Sequence, residues 1–283
     1  MSDQRTALVL GGGGITGIAW EIGLLAGLAE AGTDLSGADL VVGTSAGSVV
    51  GAQLTSGVEL EAMYERQLTP ATGATAARLN RATFAQFGWA MLRSRGRDVE
   101  FRRRIGVLAL AAEKVGLTPP EQERLDVIGA LLAGMRWPER RLVITAVDAA
   151  TGEFRTFDRN SGVTLVHAVA ASCAVPGVYP PVTIDGCRYV DGGMRSAANA
   201  DLARGCERVV VLAPISRGFG PIASVDAQVT GMVSRIVVVS PDADSRRAIG
   251  RNVLDPAARA PSAQAGRAQA ARVAEQVAEK WRA

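Results

Sequence analysis

Three short stretches of the chain carry residue types that could perform acyl chemistry. The first is Gly43-Thr44-Ser45-Ala46-Gly47, which closes the apolar run Leu40-Val41-Val42 and opens a helical one. A serine at a strand–turn–helix elbow needs glycines two residues either side, because the turn is strained and crowded. That geometry lifts the Ser45 hydroxyl clear of the backbone at the positive end of a helix. The Ala46 amide then points where an oxyanion would develop. The second stretch, Gly11-Gly12-Gly13-Gly14-Ile15-Thr16-Gly17, contains G-x-G-x-x-G as Gly12, Gly14 and Gly17. Consecutive glycines let the backbone turn sharply and present N–H groups to an anion. The third is Tyr189-Val190-Asp191-Gly192-Gly193, an Asp carried to the end of a strand. Such a carboxylate serves as general base when desolvation raises its pKa toward neutrality. A plain strand-end turn has the same residues, and Asp-Gly alone does not separate the two.

Two familiar arrangements fit these residues poorly. A dinucleotide-binding fold asks for an acidic residue closing the second strand, yet Asp34 and Asp39 both precede that strand. A serine triad asks for a histidine base, and the chain's single histidine is His167. The α/β-hydrolase order puts the acid before the histidine, whereas Asp191 follows His167. His167 lies in the apolar run Leu165-Val166-His167-Ala168-Val169-Ala170, where a structural or partly exposed side chain is expected.

The elements that must position these residues alternate along the chain. Short β-branched runs at Thr6–Leu10, Leu40–Val42, Arg141–Val147, Glu153–Phe157, Thr183–Val190, Arg208–Leu212 and Ile236–Val239 read as strands. Asp185-Gly186 inside the fifth run predicts a tight hairpin. Helices are expected at Ile18–Ala31, Ala46–Thr55, Ser161–Ser172 and Ser262–Trp281. The alternation implies an α/β fold with a mostly parallel sheet between helices. Val58 to Gly134 holds no strand-like run and predicts three or four helices joined by a loose Thr69–Thr75 stretch. Thr118-Pro119-Pro120-Glu121 reads as one helix start with Thr118 capping. A helical insertion after the elbow is where a lid or substrate pocket is built.

Composition narrows the function classes. The 283 residues are 48% hydrophobic and 21% charged, which excludes wholesale disorder and suits a single domain. A net charge of +3 is too weak to mark a nucleic-acid footprint, so no nucleic-acid partner is expected. Cys173, Cys187 and Cys206 have no metal-type spacing, and neither a disulfide framework, a metal nor a cofactor is expected. The opening MSDQRTALVLGG does not read as a signal peptide, and the expected location is the cytoplasm. None of these features sets an oligomeric state.

Together the three motifs resemble the patatin-like phospholipases. The resemblance rests on the loop Gly12–Gly17, the elbow Gly43–Gly47 and Asp191-Gly192-Gly193. It also covers Ala171-Ser172-Cys173-Ala174-Val175-Pro176 and Tyr179-Pro180-Pro181-Val182, spanning Leu8 to Asn199 in order. It implies a three-layer α/β/α fold and hydrolysis of lipid acyl esters by a Ser–Asp dyad without histidine. Ser45 is then the nucleophile and Asp191 the proton acceptor, with the amides of Gly12, Gly13, Gly14 and Ala46 as the oxyanion hole. The same acyl-enzyme could pass its acyl group to another alcohol, and a non-enzymatic anion-binding module is the reading outside enzymes. One departure is Thr16, where many members carry Arg or Lys. Amide donors do not depend on that side chain, but the missing charge bears on phosphate recognition. Finally, Arg93, Arg95, Arg97, Arg102, Arg103 and Arg104 lie near Phe84, Phe87, Trp89, Met91 and Leu92. The insertion then reads either as a lid that meets an anionic lipid surface, burying aromatics while arginines contact head groups, or as a solvated basic helix over an ordinary core contact.

Overall fold

The computed structural model describes residues 6–70, 81–218 and 220–282. Its strands form one sheet in the order β5-β6-β3-β2-β1-β7-β8, with β4 paired to β3. They are β1 (Thr6–Leu10), β2 (Leu40–Gly43), β3 (Arg141–Asp148), β4 (Phe154–Phe157), β5 (Val182–Ile184), β6 (Cys187–Asp191), β7 (Arg208–Leu212) and β8 (Arg235–Val239). The central strands β3, β2, β1, β7 and β8 run parallel, in the register Leu10↔Gly43 and Leu10↔Leu212 beside the site. Strands β4, β5 and β6 add an antiparallel margin. Asp185 and Gly186 both take positive φ, 49° and 78°, and make the β5–β6 hairpin that their sequence predicts.

The two faces of the sheet divide the apolar residues by alternation. Leu8, Leu10, Val41, Val210 and Leu212 point to the layer of α1 (Gly14–Glu30), α2 (Ala46–Thr55), α7 (Leu165–Ser172) and α10 (Arg259–Trp281). Ala7, Val9, Val42, Val209 and Val211 point the other way, onto residues 198–206 and α8 (Val225–Val229). Helix α9 (Ala243–Ile249) precedes α10. Backbones cross closely where α10 lies on α1: a Cβ on Gly23 would stand 2.0 Å from the Ala263 carbonyl oxygen. The Ala-rich tail can therefore sit flat against α1 and bury Ala263 and Ala270 fully.

Between β2 and β3 the insertion holds α3 (Leu60–Leu68), α4 (Arg81–Ser94), α5 (Asp98–Lys114) and α6 (Glu121–Leu132). Residues 71–75 of the expected loose stretch lie outside the described residues. Helix α5 returns to the sheet through Ala109, which packs on Val147 and Val190. Several boundaries differ from the sequence expectation: α7 starts at Leu165 rather than Ser161, α10 at Arg259 rather than Ser262, and two helix starts have a clear cause. Helix α1 starts at Gly14 rather than Ile18, because the Gly17 amide already bonds the Gly13 carbonyl at 2.8 Å. Helix α6 is entered through Pro120 with no side-chain cap, and the buried Thr118 hydroxyl has no hydrogen-bond partner. Thr118 is thus not the cap; Pro119 and Pro120 fix the entry instead.

Candidate active site

Strand β2 delivers Ser45 to the first turn of α2 at φ 52°, ψ −114°, a conformation that L side chains seldom adopt. Packing holds it there. A Cβ on Gly43 would lie 2.6 Å from the Ser48 Cα, and one on Gly47 only 2.1 Å from the Leu10 oxygen. Both glycines of the elbow are therefore required by space. The Thr44 amide bonds the Leu10 carbonyl and the Gly47 amide bonds the Gly11 carbonyl, each at 3.0 Å. The Ser45 amide donates to Ser172 Oγ at 2.9 Å, and its carbonyl accepts from Ser48 Oγ at 2.6 Å.

Ser45 and Asp191 meet directly. The Ser45 hydroxyl donates to Asp191 Oδ2 at 2.7 Å, while Oδ1 accepts the Gly193 amide at 2.7 Å. Gly192 carries the chain tightly past Thr145, whose Oγ1 would lie 2.2 Å from an added Cβ. Asp191 is 3% exposed. Burial pushes its pKa from 3.8 up to about 6, against the pull of the Ser45 and Gly193 hydrogen bonds and the Arg124 charge. A carboxylate so placed is a competent base near neutral pH.

The glycine loop borders the same point, with the Gly12 Cα beside Ser45: a Cβ there would lie 3.5 Å from the serine Cβ. The expectation for Gly12 needs correction, however. Its amide donates to the Ala197 carbonyl at 2.6 Å and is not free for an oxyanion. Gly13 is extended and Gly14 has φ 61°, and the amides of both, like that of Ala46, have no hydrogen-bond partner among the described residues. Gly13, Gly14 and Ala46 stand at the N-termini of α1 and α2, so two positive helix ends converge. A Cβ on Gly17 would meet Pro214 and Ala46 only at ordinary contact distance, 3.4 and 3.5 Å. The Thr16 hydroxyl faces the Gly13 and Val253 carbonyls, so the loop offers no side-chain charge.

His167 stays apart. Its Nδ1 lies 2.7 Å from Thr164 Oγ1 at the start of α7, whereas the serine is reached by Ser172 at the other end. Five residues of helix separate the two, about 7.5 Å of axis. Sequence reasoning missed a buried polar brace: Asn199 Nδ2 reaches Thr44 Oγ1 at 3.1 Å and the Gly192 carbonyl at 3.3 Å. Thr145 Oγ1 lies 2.9 Å from Thr44 Oγ1. The available cue was a lone threonine inside the apolar strand Val143–Val147. Among the described residues no group of three His, Cys, Asp or Glu could hold a metal ion.

The patatin-like phospholipase family model matches residues 8–204, from β1 through the brace. The chain belongs to the patatin-like phospholipase family. Among curated relatives, uncharacterized NTE family proteins of Mycobacterium tuberculosis and Mycobacterium bovis are 29% identical over 236 residues. That match takes in 82% of this chain and 49% of theirs, so the chain spans about half the length of the curated relatives it matches. Among solved structures, VipD from Legionella pneumophila aligns at 12% identity and TM-score 0.48, covering 96% of this chain and 67% of that one. ExoU from Pseudomonas aeruginosa aligns at 18% identity and TM-score 0.42, covering 99% and 53%.

Proposed function

We propose that this patatin-like chain hydrolyses acyl esters of lipids through an acyl-serine intermediate. The observation that carries the reading is the 2.7 Å bond from a strained elbow serine to a buried carboxylate of pKa about 6. Ser45 Oγ attacks the acyl carbonyl while Asp191 Oδ2 takes its proton. The carbonyl oxygen becomes an oxyanion received by the amides of Gly13, Gly14 and Ala46, each such donor being worth about 10²–10³ in rate. Collapse expels the alcohol, which recovers the proton from Asp191. Water then attacks the acyl-serine with Asp191 again as base, releasing fatty acid and free Ser45. The test is fatty-acid release from a panel of synthetic esters and phospholipids by wild type and Ser45→Ala. Release by wild type, lost in a folded Ser45→Ala protein, is expected; equal release by both contradicts the reading.

The insertion supports a peripheral contact with the membrane, on a narrower surface than the sequence suggests. Residues 81–114 hold eight basic and three acidic side chains, a net +5 in a chain whose total is +3. Of ten exposed large hydrophobic side chains among the described residues, six lie on α4, α5 and the turn after them. Apolar contact area and positive charge thus coincide. Trp89 and Leu92 are 50% and 75% exposed, and Arg93 lies over the Trp89 ring at 5.2 Å. Arg95, Arg97 and Arg103 are exposed beside them. Other members of the expected set face inward. Phe87 and Met91 pack on Ala90, Phe101 and Ile105, and buried Arg102 donates to the Gly152 carbonyl. Arg103 and Arg104 are both held by Glu100, Arg104 also lying over the Trp89 ring at 5.8 Å, and the Phe84 side chain lies outside the described residues. No helix among the described residues is long and apolar enough to cross a membrane.

A further inference from the structure

Among the described residues, Arg124 is a cation near the site that no carboxylate neutralises. Arg124, in the first turns of α6, lays its guanidinium over the Tyr179 ring with Cζ 3.8 Å from the centroid. Its Nε is buried with no hydrogen-bond partner, and its side chain pairs with no carboxylate among the described residues. Arg188 also buries an unpartnered Nε, but its guanidinium bonds Glu113, as that of Arg195 bonds Asp201; the missing carboxylate is what sets Arg124 apart. Buried unpartnered donors are rare enough in folded proteins that one beside a reaction centre asks for a reason.

Its placement gives one. Tyr179 belongs to the loop that leaves α7 after Ala174, and the Ala174 carbonyl accepts the Asp191 amide at 3.0 Å. The Arg124 charge is felt at both Asp191 and Cys173, where it favours the anionic forms. A flat guanidinium stacked on an aromatic ring loses little freedom on binding, and its edge matches a phosphate or carboxylate. The glycine loop contributes no cation, because Thr16 stands there with its hydroxyl turned to backbone carbonyls.

Resting on the acyl-ester reading above, we propose that Arg124 selects the substrate by engaging a phosphate on the alcohol side of the ester. The insertion thereby supplies the charge that the glycine loop lacks. Tyr179 positions the guanidinium, and the acyl carbonyl remains at Ser45.

The test compares two soluble substrates with the same acyl chains, dihexanoyl phosphatidylglycerol and dihexanoylglycerol. Both are kept monomeric so that membrane binding plays no part, and assayed at pH 8 so that Asp191 is ionised throughout. Arg124→Gln should lower kcat/KM on the phosphate ester by about 10- to 100-fold, the scale of a charge-assisted contact, chiefly through KM. The neutral ester should change by less than about threefold, and Arg124→Lys should restore part of the loss. Equal losses on both esters, or none on the phosphate ester, would overturn the assignment. Hydrolysis of neither ester by wild type would instead defeat the acyl-ester reading. Arg124 is then judged by binding of glycerol 3-phosphate, expected to weaken at least about tenfold in Arg124→Gln; unchanged binding overturns it.

Discussion

Ser45 sits at φ 52° with 7% of its surface exposed and Asp191 at 3%, while on the insertion Trp89 is half exposed and Leu92 is 75% exposed. The elbow wall concentrates cost: a strained backbone, a desolvated carboxylate and glycines that tolerate no side chain. The insertion wall is built of ordinary helices whose unusual feature is what they leave uncovered. The contrast assigns them different work. On the proposed function, reactive groups are held where water would otherwise relax them, and substrate is met by a surface that folding has not satisfied. Damage to the elbow wall should therefore remove turnover, and removal of its buried charge should gain stability. Damage to the insertion should alter delivery and selection while leaving the reaction itself intact.

The largest expected effect breaks the first half of that contrast. Asp191→Asn should lower kcat/KM on a soluble ester by about 10³–10⁴-fold. It should also raise stability at pH 8. A carboxyl whose folded pKa lies near 6 rather than 3.8 favours the fold below pH 3.8 and loses that contribution as pH rises to about 6. Removing the charge returns up to about 3 kcal/mol, measurable by urea denaturation.

The second half is sharpened on the insertion. The double change Arg95→Gln, Arg97→Gln should weaken binding to anionic vesicles by about 10- to 100-fold, at roughly 1 kcal/mol per charge lost near the surface. Hydrolysis of a monomeric ester should not change. Flotation with anionic and neutral vesicles reads the first expectation, and equal partitioning to both would count against the surface.

A smaller effect concerns pH. Below about 6 the Asp191 carboxylate is protonated, so kcat/KM on a neutral soluble ester should fall about tenfold per unit and stay level above it. An effect on stability alone lies beneath the glycine loop. Glu21 is fully buried with neither carboxyl oxygen partnered, and burial drives its pKa well above the carboxylate range. The nearby Gly11 amide offsets this little, since it donates to the Leu212 carbonyl. Because the folded state must keep Glu21 neutral, stability falls by about 1.4 kcal/mol per unit as pH rises above 4.5, until the folded pKa is reached. Glu21→Gln should raise Tm at pH 8 and leave it unchanged at pH 4.

The parts legible in the sequence were those fixed by local rules. Strand runs such as Arg208-Val209-Val210-Val211-Leu212, the Asp185-Gly186 turn and Gly43 against Ser48 each depend on neighbours in the chain. What the sequence concealed depends on distant groups. Gly12 reads as a donor until Ala197, 185 positions later, is seen to accept its amide. Arg102 reads as a surface charge until the Gly152 carbonyl is found beneath it. Arg124 carried no signal, because its isolation from carboxylates is a fact of packing.

The central claim is that Asp191, not His167, activates Ser45. Its most direct measurement is the rate at which a fluorophosphonate labels Ser45, followed by intact-protein mass in wild type, His167→Ala and Asp191→Asn. Wild type and His167→Ala should label at rates within about twofold, with the adduct at Ser45. Asp191→Asn should label at least about 100-fold more slowly, the scale of losing a catalytic base. A loss of that size in a folded His167→Ala protein, or undiminished labelling in Asp191→Asn, would contradict the dyad.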